Sequence, residues 1–87
     1  MASTTFEVTV TGIPLWLLQE YLEELGARPG ADGELQGEGW RAQLTQLEDY
    51  RVGSLHVGRV RLELAGSPEA ISQIKPALEK KLLRAGG

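Results

Sequence analysis

The chain has 87 residues, a formal net charge of −3 and no cysteine. This length predicts a single domain over residues 1–87 with a small core. The lack of cysteine excludes disulfides and thiolate chemistry, and the negative charge argues against nucleic acid as a partner. Because the chain has no apolar run long enough for a membrane span and no signal-peptide pattern, we expect a cytoplasmic protein that does not bind membranes.

The first predicted strand covers residues 5–11, where Phe6, Val8 and Val10 alternate with polar side chains. Such alternation is typical of a strand with one buried face. Gly12 and Pro14 then predict a turn into a helix over residues 15–25, which ends at Gly26. The apolar stripe of this helix consists of Leu15, Leu18, Leu22 and Leu25.

Trp16 lies off this stripe, and Leu17 lies at its margin. Two interpretations are open for Trp16. It packs beneath the following loop, which is favoured because tryptophan is usually well covered, or it is an exposed anchor for a partner. Trp16 and Leu17 therefore belong to a predicted interaction surface.

Residues 26–39 are rich in glycine and predict turns and loops, and a small hairpin around residues 34–36 is left open. The glycine spacing matches neither phosphate-binding fingerprint, and Asp32, Glu34 and Glu38 would repel phosphate. These acids also lack the residue order of a calcium loop. We therefore interpret the segment as a solvated acidic loop.

The second predicted strand covers residues 40–47, with Trp40, Ala42 and Leu44 facing inward. Residues 48–54 form a connecting loop or a short extension of the hairpin. The third predicted strand covers residues 55–64, but its apolar positions change from odd to even numbers near Gly58. A bulge at Gly58 would absorb this change of phase.

The last helix begins with Ser67 as a predicted N-cap and Pro68 at the first helical position. Its stripe consists of Ile71, Ile74, Leu78 and Leu82. Pro76 interrupts the pattern and predicts a kink or a new helix. Gly86 and Gly87 are interpreted as a helix end, because the sulfur carriers with Gly-Gly tails begin with a hairpin rather than with strand and helix.

The order strand, helix, strand, strand, helix predicts an α+β fold. It resembles the ferredoxin-like plan as a βαββα two-layer sandwich that lacks the final strand. Both helices are expected on one face of an antiparallel sheet, whose central strand is the third. The first strand then has an open edge, which a homodimer, a protein partner or residues 34–36 would cover. The predicted outward residues are Glu7, Thr9, Arg41, Gln43, Thr45, Arg61 and Glu63.

Arg41, Arg59 and Arg61 form the best basic cluster and join the predicted interaction surface. Cross-strand pairing with acidic neighbours explains them, and the open face lacks the aromatic side chains of an RNA-binding sheet. His56 is the only histidine, and neither a nucleophile motif nor a set of metal ligands accompanies it. We therefore expect no enzyme activity, no cofactor and no metal.

Three stretches carry a resemblance to a known domain: residues 6–12, Trp40 at a strand start, and residues 60–68. They resemble a small uncharacterised α+β domain of thermophilic bacteria, which also occurs as the C-terminal extension of MoaD-related proteins. The resemblance covers nearly the whole chain and implies an association with molybdopterin or sulfur-transfer systems. It supplies no catalytic residues.

Two functions are predicted. The first is an accessory interaction domain that forms a homodimer through the first-strand edge or binds a protein partner through the Trp16 surface. The second is a regulatory module that binds an anion, a nucleotide or a pterin near the three arginines or in residues 26–39.

Overall fold

The computed structural model describes residues 3–86. It contains two helices and seven strands in these residues. In chain order the elements are β1 Thr4–Thr11, α1 Leu15–Glu24, β2 Arg28–Pro29, β3 Glu34–Gly37, β4 Trp40–Gln46, β5 Tyr50–Val52, β6 Leu55–Val57, β7 Arg59–Gly66 and α2 Pro68–Gly86. The predicted α+β class is confirmed.

Five strands form one sheet in the order β1-β7-β4-β3-β2, and β5 and β6 form a separate two-stranded ribbon. Every described pairing is antiparallel. The predicted neighbours are correct, since β7 lies between β1 and β4. The ferredoxin-like arrangement is not confirmed, because the sheet continues beyond β4 and the ribbon stands apart from it.

The core lies between the sheet and both helices. Val60, Leu62 and Leu64 of β7 are buried, and they share one cluster with Leu18 of α1 and Leu78 of α2. The apolar residues of β1 and β4 have the same even numbers and face the same side. The periodicity of the three long strands therefore places both helices on one face, as predicted, and leaves the other face polar.

The helix ends follow from local chemistry. The Ala70 N–H donates to Ser67 Oγ at 3.2 Å, which confirms the predicted N-cap of α2. Gly26 has φ +109° just after α1, a conformation that favours glycine. Helix α2 continues through Pro76, so no new helix begins there. Gly86 lies in α2, and Gly87 lies outside the described residues.

Residues 26–39 contain more structure than expected. Leu35 of β3 pairs with Ala42 of β4 and is buried, and Pro29 of β2 pairs with Leu35. The hairpin around residues 34–36 therefore exists. However, it extends the sheet on the side opposite β1, so the prediction that it covers the β1 edge is wrong.

The third predicted strand is two strands. Leu55–Val57 belongs to the ribbon and Arg59–Gly66 to the main sheet. Gly58 stands between them, and its carbonyl accepts the Gly12 N–H at 2.9 Å. The apolar positions thus change from odd to even numbers because the chain passes from the ribbon to the main sheet at Gly58. The predicted bulge within one strand is wrong.

Gly66 tests the packing at the end of β7, where it pairs with both Thr4 and Trp40. A Cβ at Gly66 would lie 2.7 Å from Trp40 Cα and against the Gly39 carbonyl, whereas a Cβ at Gly58 would meet nothing within 4 Å. We expect Gly66→Ala to lower the free energy of unfolding by about 1–3 kcal/mol. Gly58→Ala should stay within about 0.5 kcal/mol of the parent. Urea denaturation followed by circular dichroism measures both, and equal stabilities would contradict the packing described.

Candidate functional site

The ribbon formed by β5 and β6 is the most unusual feature of the surface, and we call residues 50–57 the arm. Tyr50 pairs with Val57, and Val52 pairs with Leu55. Residues that face each other across antiparallel strands lie on the same side of the ribbon. One side of the arm is therefore entirely apolar.

The remaining pair, Arg51 and His56, occupies the opposite side of the arm. Both side chains are exposed, so the sequence prediction of a surface histidine is confirmed. On the apolar side, Tyr50, Val52 and Leu55 are each more than half exposed. The arm thus has the amphipathic pattern of a half-buried ribbon without a cover among the described residues.

Trp16 stands beside the base of the arm, at the first turn of α1. Its side chain is 63% exposed. It lines a depression of about 560 Å³ together with apolar and polar side chains, namely Ile13, Leu15, Val57, Gln46 and His56. The favoured interpretation, that Trp16 packs beneath the loop after α1, is wrong, because that loop pairs with β4 instead. The alternative of an exposed tryptophan is correct.

Val57 connects Trp16 with the arm, because it lines the depression beside Trp16 and shares one side of the ribbon with the other apolar residues of the arm. We call this set the arm–Trp16 surface, and its members are Trp16, Tyr50, Val52, Leu55 and Val57. Leu17 is not among them, because it is half-buried and packs against the core.

The three predicted arginines lie elsewhere and do not converge. Arg61 is exposed on the open face of the sheet, and its Nε lies 3.7 Å from Glu7 Oε1. Arg59 Nε donates to the main-chain carbonyl of Glu48 at 2.9 Å rather than to its carboxylate. Arg41 is exposed on β4, on the same face as Arg61. The arginines and Trp16 therefore belong to opposite faces of the sheet.

Among residues 3–86, no group of three or more histidine, aspartate and glutamate side chains is placed to hold a metal ion. Neither described helix is long and apolar enough to cross a membrane.

The outer edge of β1 is the second notable feature. The Gly12 N–H bonds to Gly58, and the Leu47 N–H bonds to the carbonyl of Arg59. Since hydrogen-bonded pairs alternate along antiparallel strands, even-numbered residues of β1 bond to β7. The odd-numbered residues therefore direct their N–H and C=O groups away from the sheet. These residues are Thr5, Glu7, Thr9 and Thr11.

No strand of residues 3–86 pairs with this outer edge. The edge is eight residues long, and Phe6 and Val8 beside it are only half-buried. The sequence prediction that β1 is an edge strand is therefore confirmed, whereas the partner at this edge stays a prediction.

Sequence reasoning found the edge, and its alternative that residues 48–54 extend the hairpin agrees with strand β5, but it did not separate the arm from the main sheet. The sequence nevertheless contains the signal of a hairpin. Tyr50 and Val52 flank the polar Arg51 before the turn Gly53-Ser54, and Leu55 and Val57 flank the polar His56 after it. Two alternating segments around a two-residue turn with glycine are typical of a hairpin. Gly53 has φ +61°, as such a turn requires.

Comparison with known protein families identifies the family of this chain. The model of a family described as archaeal MoaD-like protein matches residues 6–87. No curated protein matches the chain. Because the match covers almost the whole sequence, the chain belongs to the archaeal MoaD-like family. The thermophilic source and the relation to C-terminal extensions stay predictions.

The two tryptophans provide a test of the site. Trp16 is exposed, whereas Trp40 is 6% exposed and belongs to the core cluster. We expect Trp16→Ala to change the free energy of unfolding by less than about 0.5 kcal/mol. Trp40→Ala should cost about 3–5 kcal/mol. Chemical denaturation at low protein concentration measures the difference, and a large loss for Trp16→Ala would mean that Trp16 has a structural role.

Proposed function

We propose that this member of the archaeal MoaD-like family is a cytoplasmic, non-enzymatic accessory domain of a molybdopterin or sulfur-transfer system that pairs with a second copy through the edge of β1. Family membership supports the link to these systems. The observation that carries the self-association is the unpaired edge of β1, with its outward backbone groups and half-buried apolar side chains.

An unpaired edge of this length is a template for another strand. The outward N–H and C=O groups of β1 can form a full ladder only with an added strand or with water. A second copy supplies such a strand with the same residues, and a two-fold axis makes the two contacts identical. Antiparallel pairing of the two β1 strands therefore continues the sheet from one copy into the other.

The charges and parity of β1 select the register of this pairing. If the two-fold axis passes Glu7, the two Glu7 carboxylates face each other, which is unfavourable. If it passes Val8, Glu7 lies opposite Thr9 of the second copy, and Phe6 lies opposite its Val10. Both registers keep the apolar side chains on the helix side and include nearly all of β1, so the charge of Glu7 decides between them. We therefore place the axis at Val8.

Lys75 is the cation closest to this contact on the helix side, with its Nζ 4.4 Å from the centre of the Phe6 ring. In the Val8 register the two Phe6 side chains are separated by four residues along the strand, or roughly 13 Å. This exceeds the screening length of about 8 Å at physiological ionic strength, so the two lysines repel each other little.

The alternative function, a regulatory module for an anion, a nucleotide or a pterin, has less support. Its three arginines are spread over the open face, and two of them already contact protein groups. Arg61 pairs with Glu7, and Arg59 donates to the Glu48 carbonyl.

Proline at Thr9 tests the edge directly. The Thr9 N–H points outward, so Thr9→Pro removes no bond within the sheet of one copy, and edge strands tolerate proline in that orientation. We expect a monomer at about 20 μM by sedimentation velocity, because two symmetric hydrogen bonds are lost and Kd rises roughly 30- to 1,000-fold.

Val8→Pro is the matched control, since the Val8 N–H points toward β7. It should lower the stability of the fold itself by about 3 kcal/mol. A parent protein that is already a monomer at this concentration, or a Thr9→Pro variant that associates as the parent does, would contradict pairing through this edge.

A single cysteine tests the register, because the chain has none of its own. In the Val8 register the two Val8 Cα atoms form a pair about 4.5 Å apart, within the range that a disulfide spans. We expect Val8→Cys to form a covalent dimer on mild oxidation, seen on a non-reducing gel. Val10→Cys should not, because its two copies are about 13 Å apart. Rapid crosslinking of Val10→Cys alone would place the axis elsewhere.

A further inference from the structure

The arm is a two-stranded ribbon, and a ribbon of this kind is marginally stable in water unless a further layer covers it. On its apolar side, Tyr50, Val52 and Leu55 are exposed, whereas Val57 at the base is half-buried. Strands β5 and β6 pair only with each other in the described chain. A molecule that covers this apolar side would therefore stabilise the arm.

We propose that the arms of two copies stack with their apolar sides together, in antiparallel directions, so that Leu55 at the tip of each arm enters the depression beside Trp16 of the other. This inference goes beyond the proposed function and uses none of the residues of β1. Three features of the surface favour a second copy as the occupant: its area, its shape and its charges.

The area is sufficient for a weak contact. The exposed parts of Trp16, Tyr50, Val52 and Leu55 amount to roughly 500 Å², since a whole aromatic side chain offers about 150–250 Å². This is the size of the largest apolar patch on a typical monomer, and such patches are often functional. Two such surfaces together bury about 1,000 Å², the lower limit for a specific interface and the range of transient ones.

The shape is self-complementary. Each arm–Trp16 surface has a projecting side chain, Leu55, which is 67% exposed at the tip. It also has a depression of about 560 Å³ at the base, next to Trp16 and Val57. A two-fold axis between antiparallel arms brings the tip of each over the base of the other, so both depressions are filled by the same operation.

The charges permit this arrangement. The tip turn, Gly53-Ser54, is uncharged, whereas Glu48 and Asp49 precede the arm at its base. In the antiparallel stack an uncharged tip meets each acidic base, so like charges do not oppose each other. Arg51 lies on the outer side, and His56, its pairing partner, also reaches the rim of the depression, where it faces no like charge.

The indole N–H signal of Trp16 in a ¹H–¹⁵N spectrum reports on this contact, because the chain has only two tryptophans and Trp40 is buried. For a contact of this size we expect a Kd on the order of 0.1–1 mM. Between about 0.05 and 1 mM protein, the Trp16 signal should shift with concentration and the Trp40 signal should not.

Leu55→Asp and Leu83→Asp form the matched pair of variants. Leu83 is 72% exposed on α2 and is not part of the arm–Trp16 surface, so both variants replace an exposed leucine with the same charge. Leu55→Asp should raise the Kd at least about tenfold, because the apolar contacts of Leu55 with Trp16 and Val57 are lost. Leu83→Asp should leave the Trp16 shift unchanged, and so should Thr9→Pro, which affects only the β1 edge.

A Trp16 signal that does not move with concentration in the parent protein overturns the proposal and assigns the surface to a different molecule. An equal loss of the shift in Leu83→Asp also overturns it, because the association is then nonspecific. Failure of the β1 pairing gives a different result, since Trp16 would still shift while sedimentation at low concentration shows a monomer.

Discussion

The burial of β7 between β1 and β4 is the constraint on which the rest of the structure depends. Val60, Leu62 and Leu64 lie under both helices, so the even-numbered residues must face the core. Backbone bonding follows the same parity, with even residues bonded to β1 and odd residues to β4. Because β1 pairs with β7, the parity of β7 also decides which backbone groups of β1 bond within the sheet and which point to its outer edge. The burial of three side chains thus decides which N–H groups reach the outer edge of the sheet.

The elements that bury one regular face were predictable from the sequence. Strands β1 and β7 alternate strictly, and Ser67 and Pro68 mark the start of α2 by chemistry that depends on neighbouring residues alone. Strands β2 and β3 were not predictable with the same means, because Leu35 is the only apolar residue of these two strands that is buried, and one residue gives no alternation. Its burial depends on pairing with β4, which is a tertiary contact.

The candidate site was harder to predict for a related reason. Periodicity identifies apolar positions, but it does not say whether the sheet they belong to is covered. The apolar residues from Leu55 to Leu64 resemble one strand with a slip, whereas Gly58 separates a covered sheet from an uncovered ribbon. Trp16 shows the same limit, since its exposure depends on where the loop after α1 goes. Both the separate ribbon and the exposure of Trp16 depend on tertiary contacts of the whole chain, which periodicity does not report.

The two proposed contacts differ in their physical origin, and this difference makes them compatible. Pairing at β1 relies on backbone hydrogen bonds and on a shared ladder, so it tolerates changes of exposed side chains but not the loss of an outward N–H. Stacking of the arms relies on apolar area alone and depends on Leu55 and Trp16. An axis at Val8 lies in the middle of β1, whereas the arm follows β4 beyond the Thr11 end of the sheet. Neither contact covers the residues of the other, so the formation of one does not prevent the other.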